Sequence, residues 1–154
     1  MTKYEELLDE AANAQISVDE DYHFKSALKG LYIDQNIALS DRLDTSAEKA
    51  CVLAEELGHH YTTVGNILDS SDFGNAKQEH QARVWSYNRL IGLSGLMKAY
   101  LHGCRELYEV AEFLGVTEEC LRRAIECYRA KYGIYTEYED YYICFEPCLA
   151  IGRK

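Results

Sequence analysis

The pattern of apolar and polar positions in the first 63 residues predicts a helix, a β-hairpin and a second helix. An apolar face on residues 4–13 indicates the first helix, and it is formed by Tyr4, Leu7, Leu8 and Ala11. Residues 16–28 are polar and weakly patterned. Two short apolar runs within residues 30–40 flank Asp34-Gln35-Asn36, which is typical of a hairpin with a tight turn. Good helix formers then predict a helix over about 46–63.

In the second half of the chain, the pattern predicts further helices and a strand-like tail. Residues 69–75 have loop composition, and a helix follows over about 76–90. Residues 97–102 begin a third helix or lead into one. Residues 106–131 contain a helix, a glycine turn and another helix, a pattern that resembles a helix-turn-helix. The tyrosine-rich tail, 134–151, alternates and predicts one or two strands. Together these elements predict an α+β fold that is mainly helical.

The composition narrows the classes of partner. The chain has 154 residues and a formal net charge of −10, which fits one domain and disfavours binding to the phosphate backbone of nucleic acids. Acidic residues interrupt the clearest basic cluster, which consists of Arg122, Arg123, Arg129 and Lys131. Neither an apolar segment after Met1 nor an apolar run of membrane-spanning length occurs, so we expect a cytoplasmic protein without membrane contact. The six cysteines show no C-x-x-C spacing, which favours buried thiols over disulfides or a structural zinc site.

The segment Glu55-Glu56-Leu57-Gly58-His59-His60 carries the strongest chemical signal. On a helix, Glu55 and His59 are one turn apart and share a face, and Glu56 lies beside Glu55. This is the layout of the zincin motif H-E-x-x-H, with glutamate in place of the first histidine. The motif needs two metal ligands one turn apart and a glutamate that takes a proton from a water molecule on the metal. The pattern therefore predicts Glu55 and His59 as ligands and Glu56 as the general base.

A metallohydrolase of this type needs a third protein ligand, which in glutamate-type zincins is an acidic residue on a later helix. Glu79 fits that place, because it follows His59 on the next predicted helix after a loop long enough to reverse the chain. The predicted site then consists of Glu55, His59 and Glu79 around one ion, with water in the fourth position. An alternative frame uses Glu56 and His60, also four residues apart, but it removes the base from its usual place.

Each of these residues also has an ordinary structural explanation. Glu55 and Glu56 can be solvated charges on a helix, and a single histidine such as His59 is more often a core or surface residue than a ligand. Glu79 alone carries little information. The metal-site hypothesis therefore depends on the combination.

Motifs along the chain resemble the ImmA/IrrE family of metallopeptidases, most closely its compact members carried by phages and other mobile elements of Gram-positive bacteria. The resemblance runs over about residues 4–145 and includes the predicted hairpin. Its most specific segments are Ala54 to Tyr61 and Gln78 to Trp85, and the segment Tyr108 to Thr117 extends it.

The resemblance implies a zincin-like helical core with a small sheet, and zinc-dependent endopeptidase activity. It also implies a substrate that is often the helix-turn-helix repressor encoded beside the peptidase. On this chain we expect one domain over 1–154. Within it, the zincin-like core covers 1–92, a helix-turn-helix-like segment covers 93–133, and a strand-like tail covers 134–154.

The resemblance also assigns roles to residues. The family's base falls on Glu56, its second ligand on His59 and its acidic third ligand on Glu79. Glu55 stands at the first ligand position, where the wider family has histidine. Two carboxylates and one imidazole neutralise a divalent ion, and carboxylate-rich sites accept manganese better than nitrogen-rich ones do. The expected cofactor is therefore Zn²⁺, with Mn²⁺ or another divalent ion as the alternative.

Three functions compete at this point. The first is an endopeptidase that cleaves a phage or mobile-element repressor and so acts as an antirepressor, with the Leu31–Leu39 hairpin pairing with the substrate as an added strand. The second is a non-catalytic module of the same fold that docks the repressor. The third is a DNA-binding regulator using residues 106–131, which the acidic residues of that segment disfavour.

Overall fold

The computed structural model describes residues 1–62 and 72–154, with side chains from Ala76 onward in the second range. This part of the chain is an α+β structure that is mainly helical, as predicted. Its helices are α1 (Lys3–Asn13), α2 (Ser46–Thr62), α3 (Asp72–Leu90), α4 (Gly92–His102), α5 (Leu107–Leu114) and α6 (Glu118–Tyr132). Its strands are β1 (Ser17–Tyr22), β2 (Gly30–Ile33), β3 (Asn36–Ser40), β4 (Tyr135–Tyr138), β5 (Tyr141–Cys144) and β6 (Ala150–Arg153).

The first sheet contains the predicted hairpin and one strand that was not predicted. Strands β2 and β3 pair antiparallel, and the turn between them places Asp34 and Gln35 at φ values of 47° and 62°. Two consecutive residues in the left-handed region are what a two-residue hairpin turn requires. Strand β1 pairs parallel with β3, so the strand order is β1-β3-β2. Its acidic residues are mostly exposed and do not alternate, which explains why the pattern gave no sign of it.

Helix α2 packs against both the sheet and the other helices, and its buried apolar residues form one broad stripe. Its start is fixed by Thr45, whose hydroxyl accepts a hydrogen bond from the Glu48 N–H at 3.0 Å. The helix begins at Ser46 as predicted and is described to Thr62, and the last predicted residue, Thr63, lies outside the described ranges. Its buried apolar stripe packs against α1, α3, β2 and β3, and consists of Ala50, Leu53, Ala54, Leu57 and Gly58.

Two predicted boundaries in the middle of the chain are wrong. Residues 72–75 were assigned to a loop, but α3 already begins at Asp72, because local propensity is a weak constraint that tertiary context overrides. The remainder of that predicted loop, 69–71, lies outside the described residues. Helix α4 begins at Gly92 rather than Met97, since Gly92 takes a φ of 61° at a one-residue break after α3.

The C-terminal part confirms the predicted helix pair and corrects the tail. Helices α5 and α6 are separated by Gly115 at φ 73° and by Thr117, whose hydroxyl accepts a hydrogen bond from the Cys120 N–H at 3.1 Å. The tail forms three short strands, β4-β5-β6, where one or two were predicted. It packs on α6 through Phe145, which contacts the rings of Tyr128 and Tyr132. Across the described ranges, no helix has both the length and the hydropathy that crossing a membrane requires.

Candidate metal centre

Three potential metal ligands converge where α2 meets α3. Glu55 and His59 lie one turn apart on α2, and Glu79 approaches them from α3. One donor atom of each side chain lies within 4.8 Å of the other two. The closest pair is His59 Nε2 and Glu79 Oε1, at 3.3 Å. The structure thus brings together the three side chains that the sequence predicts as ligands.

A glycine allows the two helices to come this close. A β-carbon at Gly58 would collide with the carbonyl oxygen of Ala82, so the backbones of α2 and α3 are in direct contact at this point. Gly58 precedes His59 in α2, and Ala82 lies one turn after Glu79 in α3. The contact therefore sets the short distance between the His59 ring and the Glu79 carboxylate.

Glu56 is held differently from its neighbour Glu55. It is buried, and its Oε2 atom has no hydrogen-bond partner among the described residues. The strand β2 covers it, because Gly30 sits so close that a β-carbon there would meet both Val52 and the Glu56 side chain. An unpaired buried carboxylate oxygen is costly and uncommon in folded proteins. One oxygen of this carboxyl group is thus buried without a hydrogen-bond partner in the described part of the chain.

The charges around the cluster favour a cation. Burial raises the pKa of Glu55, and the nearby Glu79 carboxylate raises it further. Burial also raises the pKa of Glu56 to about 8, with contributions from the charges of Glu55 and Glu79. Both pKa shifts result first from burial, and the charges of neighbouring carboxylates add to them, so a cation at this place would be stabilised by each carboxylate. A set of two carboxylates and an imidazole nitrogen is a donor set that divalent metal ions bind, so the residues present fit such an ion.

The cluster lies in a cleft between the hairpin and the two helices. The cleft that holds the cluster has a volume of about 660 Å³, and a second cavity of about 380 Å³ lies on the other side of Glu55. The cleft is bounded by the edge strand β2, and Glu56, His59, Gln78 and Glu79 line it. A volume of about 660 Å³ is within the range of clefts that bind ligands.

His60 has a different environment from the three converging residues. Its Nδ1 atom forms a 2.7 Å hydrogen bond with the hydroxyl of Tyr32, and its ring also contacts Tyr61 edge to face. The structure thus places the alternative ligand of the sequence analysis against β2, apart from the cluster of Glu55, His59 and Glu79. Tyr32 lines the same cleft as the cluster.

Sequence reasoning missed Gly30 and Tyr32 as parts of this site. Both lie in the hairpin, and the position of the hairpin over α2 is a tertiary contact that periodicity does not report. The signal that existed was weak: a glycine at the start of a strand often marks a close approach of another element.

Comparison with protein-family models gives a match over most of the chain. The family model described as the IrrE N-terminal-like domain, a peptidase family, matches residues 6–126. That range contains the hairpin, the converging residues and the first part of α6. No curated protein and no solved structure matches the chain significantly.

Proposed function

The chain belongs to the family of the IrrE N-terminal-like domain, which is a metallopeptidase family, and we propose on this basis that it is a zinc-dependent endopeptidase that cleaves a repressor. The observation that carries the proposal is the convergence of Glu55, His59 and Glu79 beside a buried Glu56 whose Oε2 atom has no hydrogen-bond partner among the described residues. Ordinary surface charges would be separated and solvated, whereas these side chains point their donor atoms at one place.

Glu55, His59 and Glu79 would hold the metal ion. When bound, a divalent ion supplies a Lewis acid that polarises the scissile carbonyl and lowers the pKa of a water molecule in the cleft. The His59 Nε2 atom must carry no proton to act as a ligand, whereas it can donate a hydrogen bond to the adjacent Glu79 carboxylate only when it carries one. The proposed ligand set therefore assigns both side chains to the ion rather than to each other.

Glu56 is the proposed general base. Its carboxylate accepts a proton from the attacking water and then delivers it to the departing amine nitrogen of the cleaved bond. The contact with Gly30 restricts the Glu56 side chain to a small region, and β2 shields it from bulk solvent. Burial raises the pKa of this carboxyl group to about 8 in the metal-free chain, and the positive charge of a bound divalent ion would lower it, so that Glu56 would be ionised and able to accept a proton near pH 7.

The edge strand β2 supports a peptide substrate. It lies at the border of the sheet, with β3 on one side, and it forms one wall of the cleft. An extended segment of another protein can add to such an edge through backbone hydrogen bonds. A DNA-binding repressor also has the basic surface that suits a chain of net charge −10. We therefore propose a phage or mobile-element repressor as the substrate and an antirepressor role for the protein.

Glu55 favours a second candidate function. It replaces with a carboxylate the histidine expected at the first ligand position of a standard H-E-x-x-H motif. A neutral donor set lowers the pKa of a bound water molecule less than a set with fewer anions does. In the second candidate the same fold docks the repressor without cleaving it. Direct DNA binding through α5 and α6 is a weaker third candidate, since Arg122 and Arg123 pair with Glu118 and Glu119.

The decisive experiment co-expresses the protein with a helix-turn-helix repressor encoded beside it and records repressor length and reporter output. Glu56→Gln preserves the side-chain shape and removes the proton acceptor, so cleavage should fall by roughly two to four orders of magnitude while repressor binding remains. Glu119→Gln, on the exposed face of α6, is the matched control and should cleave normally. Full-length repressor with full derepression by wild type and Glu56→Gln alike would contradict the peptidase and favour docking.

A further inference from the structure

A second group of reactive side chains lies on the other side of Glu55. A cavity of about 380 Å³ separates α2 from the start of α6, and both Cys51 and Cys120 line it. Cys51 precedes Glu55 by one turn of α2, so both project from the same helical face. Glu55 lines this cavity as well as the cleft of the candidate metal centre. The two cavities therefore meet at one proposed metal ligand.

The first turn of α6 holds the two cysteines near each other. The hydroxyl oxygen of Thr117 accepts the hydrogen bond of the Cys120 N–H at 3.1 Å, and the same oxygen lies 3.8 Å from the Cys51 sulfur. Both thiols are free and only partly buried, so small oxidants can reach them through the cavity. The Cys51 sulfur also lies at the N-terminal end of α6, where the helix dipole favours negative charge.

The pKa values of the two thiols shift in opposite directions. Hydrogen bonding from the Cys120 thiol is the main cause that lowers the pKa of Cys51, to about 7, and contacts with Thr117 act in the same direction. The same interaction raises the pKa of Cys120. A pair of this kind has one sulfur that ionises readily and a second that resolves the first oxidation product, which distinguishes it from an isolated buried cysteine.

We propose that Cys51 and Cys120 form a redox-active pair that a peroxide converts into a reversible disulfide joining α2 to α6. The Cys51 thiolate attacks one peroxide oxygen, the O–O bond breaks, and the second oxygen leaves as water after taking up a proton. The resulting sulfenic acid on Cys51 is attacked by the Cys120 sulfur, which forms the S–S bond and releases a second water. Two thiols thus lose two electrons in total, and the peroxide gains them.

The disulfide changes the candidate metal centre, a consequence that rests on the proposed function. The bond fixes the separation of the Cys51 and Cys120 backbones within a narrow range, and so ties the turn of α2 that carries Cys51 to the start of α6. Glu55 is on that turn and on that face. We therefore expect its carboxylate to shift relative to His59 and Glu79, and the affinity for a divalent ion to fall in the oxidised protein.

The first test maps the disulfide. The reduced full chain is treated with an equimolar amount of hydrogen peroxide, digested without reductant and analysed by mass spectrometry. We expect a peptide linked between Cys51 and Cys120 that disappears on reduction. Cys51→Ser and Cys120→Ser should lose the linkage, and Cys127→Ser, which also lies on α6, is the matched control that should retain it. Oxidation confined to other cysteines, with no link between Cys51 and Cys120, would overturn the proposal.

The second test measures metal affinity. Manganese is the probe because Mn²⁺ prefers oxygen and nitrogen ligands to thiols, so the cysteines do not themselves compete for it. Electron paramagnetic resonance of free Mn²⁺ should show an affinity at least about tenfold lower for the oxidised chain than for the reduced chain, in line with displaced ligand geometry. Peroxide-treated Cys120→Ser should keep the affinity of the reduced chain. Equal affinities of both forms would overturn the coupling. A reduced chain that binds no Mn²⁺ while the disulfide forms would instead count against the proposed metal site.

Discussion

The glutamates of helices α2 and α6 differ in their exposure to solvent and in their ion pairs. On α6, Glu119 is exposed and Glu118 is partly exposed, and each is paired with an arginine one turn later, Glu118 at 3.3 Å and Glu119 at 2.7 Å. On α2, Glu55 is largely shielded from solvent and Glu56 is buried, and within the described ranges neither has a lysine or arginine partner in an ion pair. The glutamates of α6 need no ligand to explain them, since exposed pairs contribute little to stability and suit a solvated face.

This difference separates Glu55 and Glu56 of α2, which do not stabilise the fold, from the paired glutamates of α6, which suit a solvated surface. Burial and the Glu79 carboxylate raise the pKa of both Glu55 and Glu56, and a carboxylate that is ionised in such surroundings weakens the folded state. A fold that retains such a group gains from it when a cation binds. The following changes test this difference between α2 and α6, from the largest expected effect to the smallest.

Removing the histidine of the cluster should have the largest effect. His59→Ala leaves two carboxylates, and affinity for Zn²⁺ should fall more than about 100-fold, because even changes to residues behind metal ligands cost 10–100-fold. Competition with a fluorescent chelator measures this affinity. His23→Ala, at an exposed histidine that pairs with Asp41, is the control and should bind normally. Equal binding by both variants would show that His59 is not a ligand.

The buried Glu56 should make the metal-free protein less stable as the pH rises. Its pKa is raised from 4.5 to about 8 on folding, so the folded state binds more protons than the unfolded state between those values. The free energy of unfolding in the presence of a chelator should therefore fall by roughly 2–4 kcal/mol from about pH 5 to pH 8. Urea titrations across this range measure it. Glu56→Gln should remove most of the slope, whereas Glu119→Gln should leave it unchanged.

The contact between α2 and α3 should be sensitive to one methyl group. Gly58→Ala forces the backbones apart at Ala82, and we expect the free energy of unfolding to fall by about 1–3 kcal/mol. Because Glu79 moves with α3, metal affinity should fall as well. Chemical denaturation and metal titration of the same preparation separate the two effects. A variant with native stability and affinity would contradict the close contact.

The paired glutamates of α6 should give the smallest effect. Arg122→Ala breaks an exposed pair at 3.3 Å, and the free energy of unfolding should change by less than about 0.5 kcal/mol. Metal affinity should not change measurably. A loss above about 1 kcal/mol in thermal or chemical denaturation would mean that the charges of α6 carry a structural role, and the contrast with α2 would weaken.

The parts that could be predicted from the sequence are those that local periodicity determines. The hairpin turn, the start of α2 and the cap at Thr117 follow from spacing and from residue preferences over a few positions. The one-turn spacing of Glu55 and His59 is likewise a property of a single helix. In contrast, the strand β1 depends on pairing with β3, and its own residues carry no alternation.

The remaining features of the site depend on contacts between distant segments. The burial of Glu56 results from Gly30 in another element, and the approach of Glu79 depends on the contact at Gly58. The neighbourhood of Cys51 and Cys120 requires α6 to begin against α2. None of these distances can be calculated from spacing, because each one is set by packing of elements that are far apart in the chain.

The direct backbone contact at Gly58 also bears on how the protein would acquire its ion. Helices α2 and α3 are already in contact without a cation. The entropy cost of bringing the helices that carry the three ligands together therefore arises during folding rather than during metal binding. Classical zinc fingers differ, since they are unfolded until the metal arrives. In this protein, the metal-free form should stay folded with its ligands close together. Its relative affinities for different ions should then depend on the donor atoms of Glu55, His59 and Glu79.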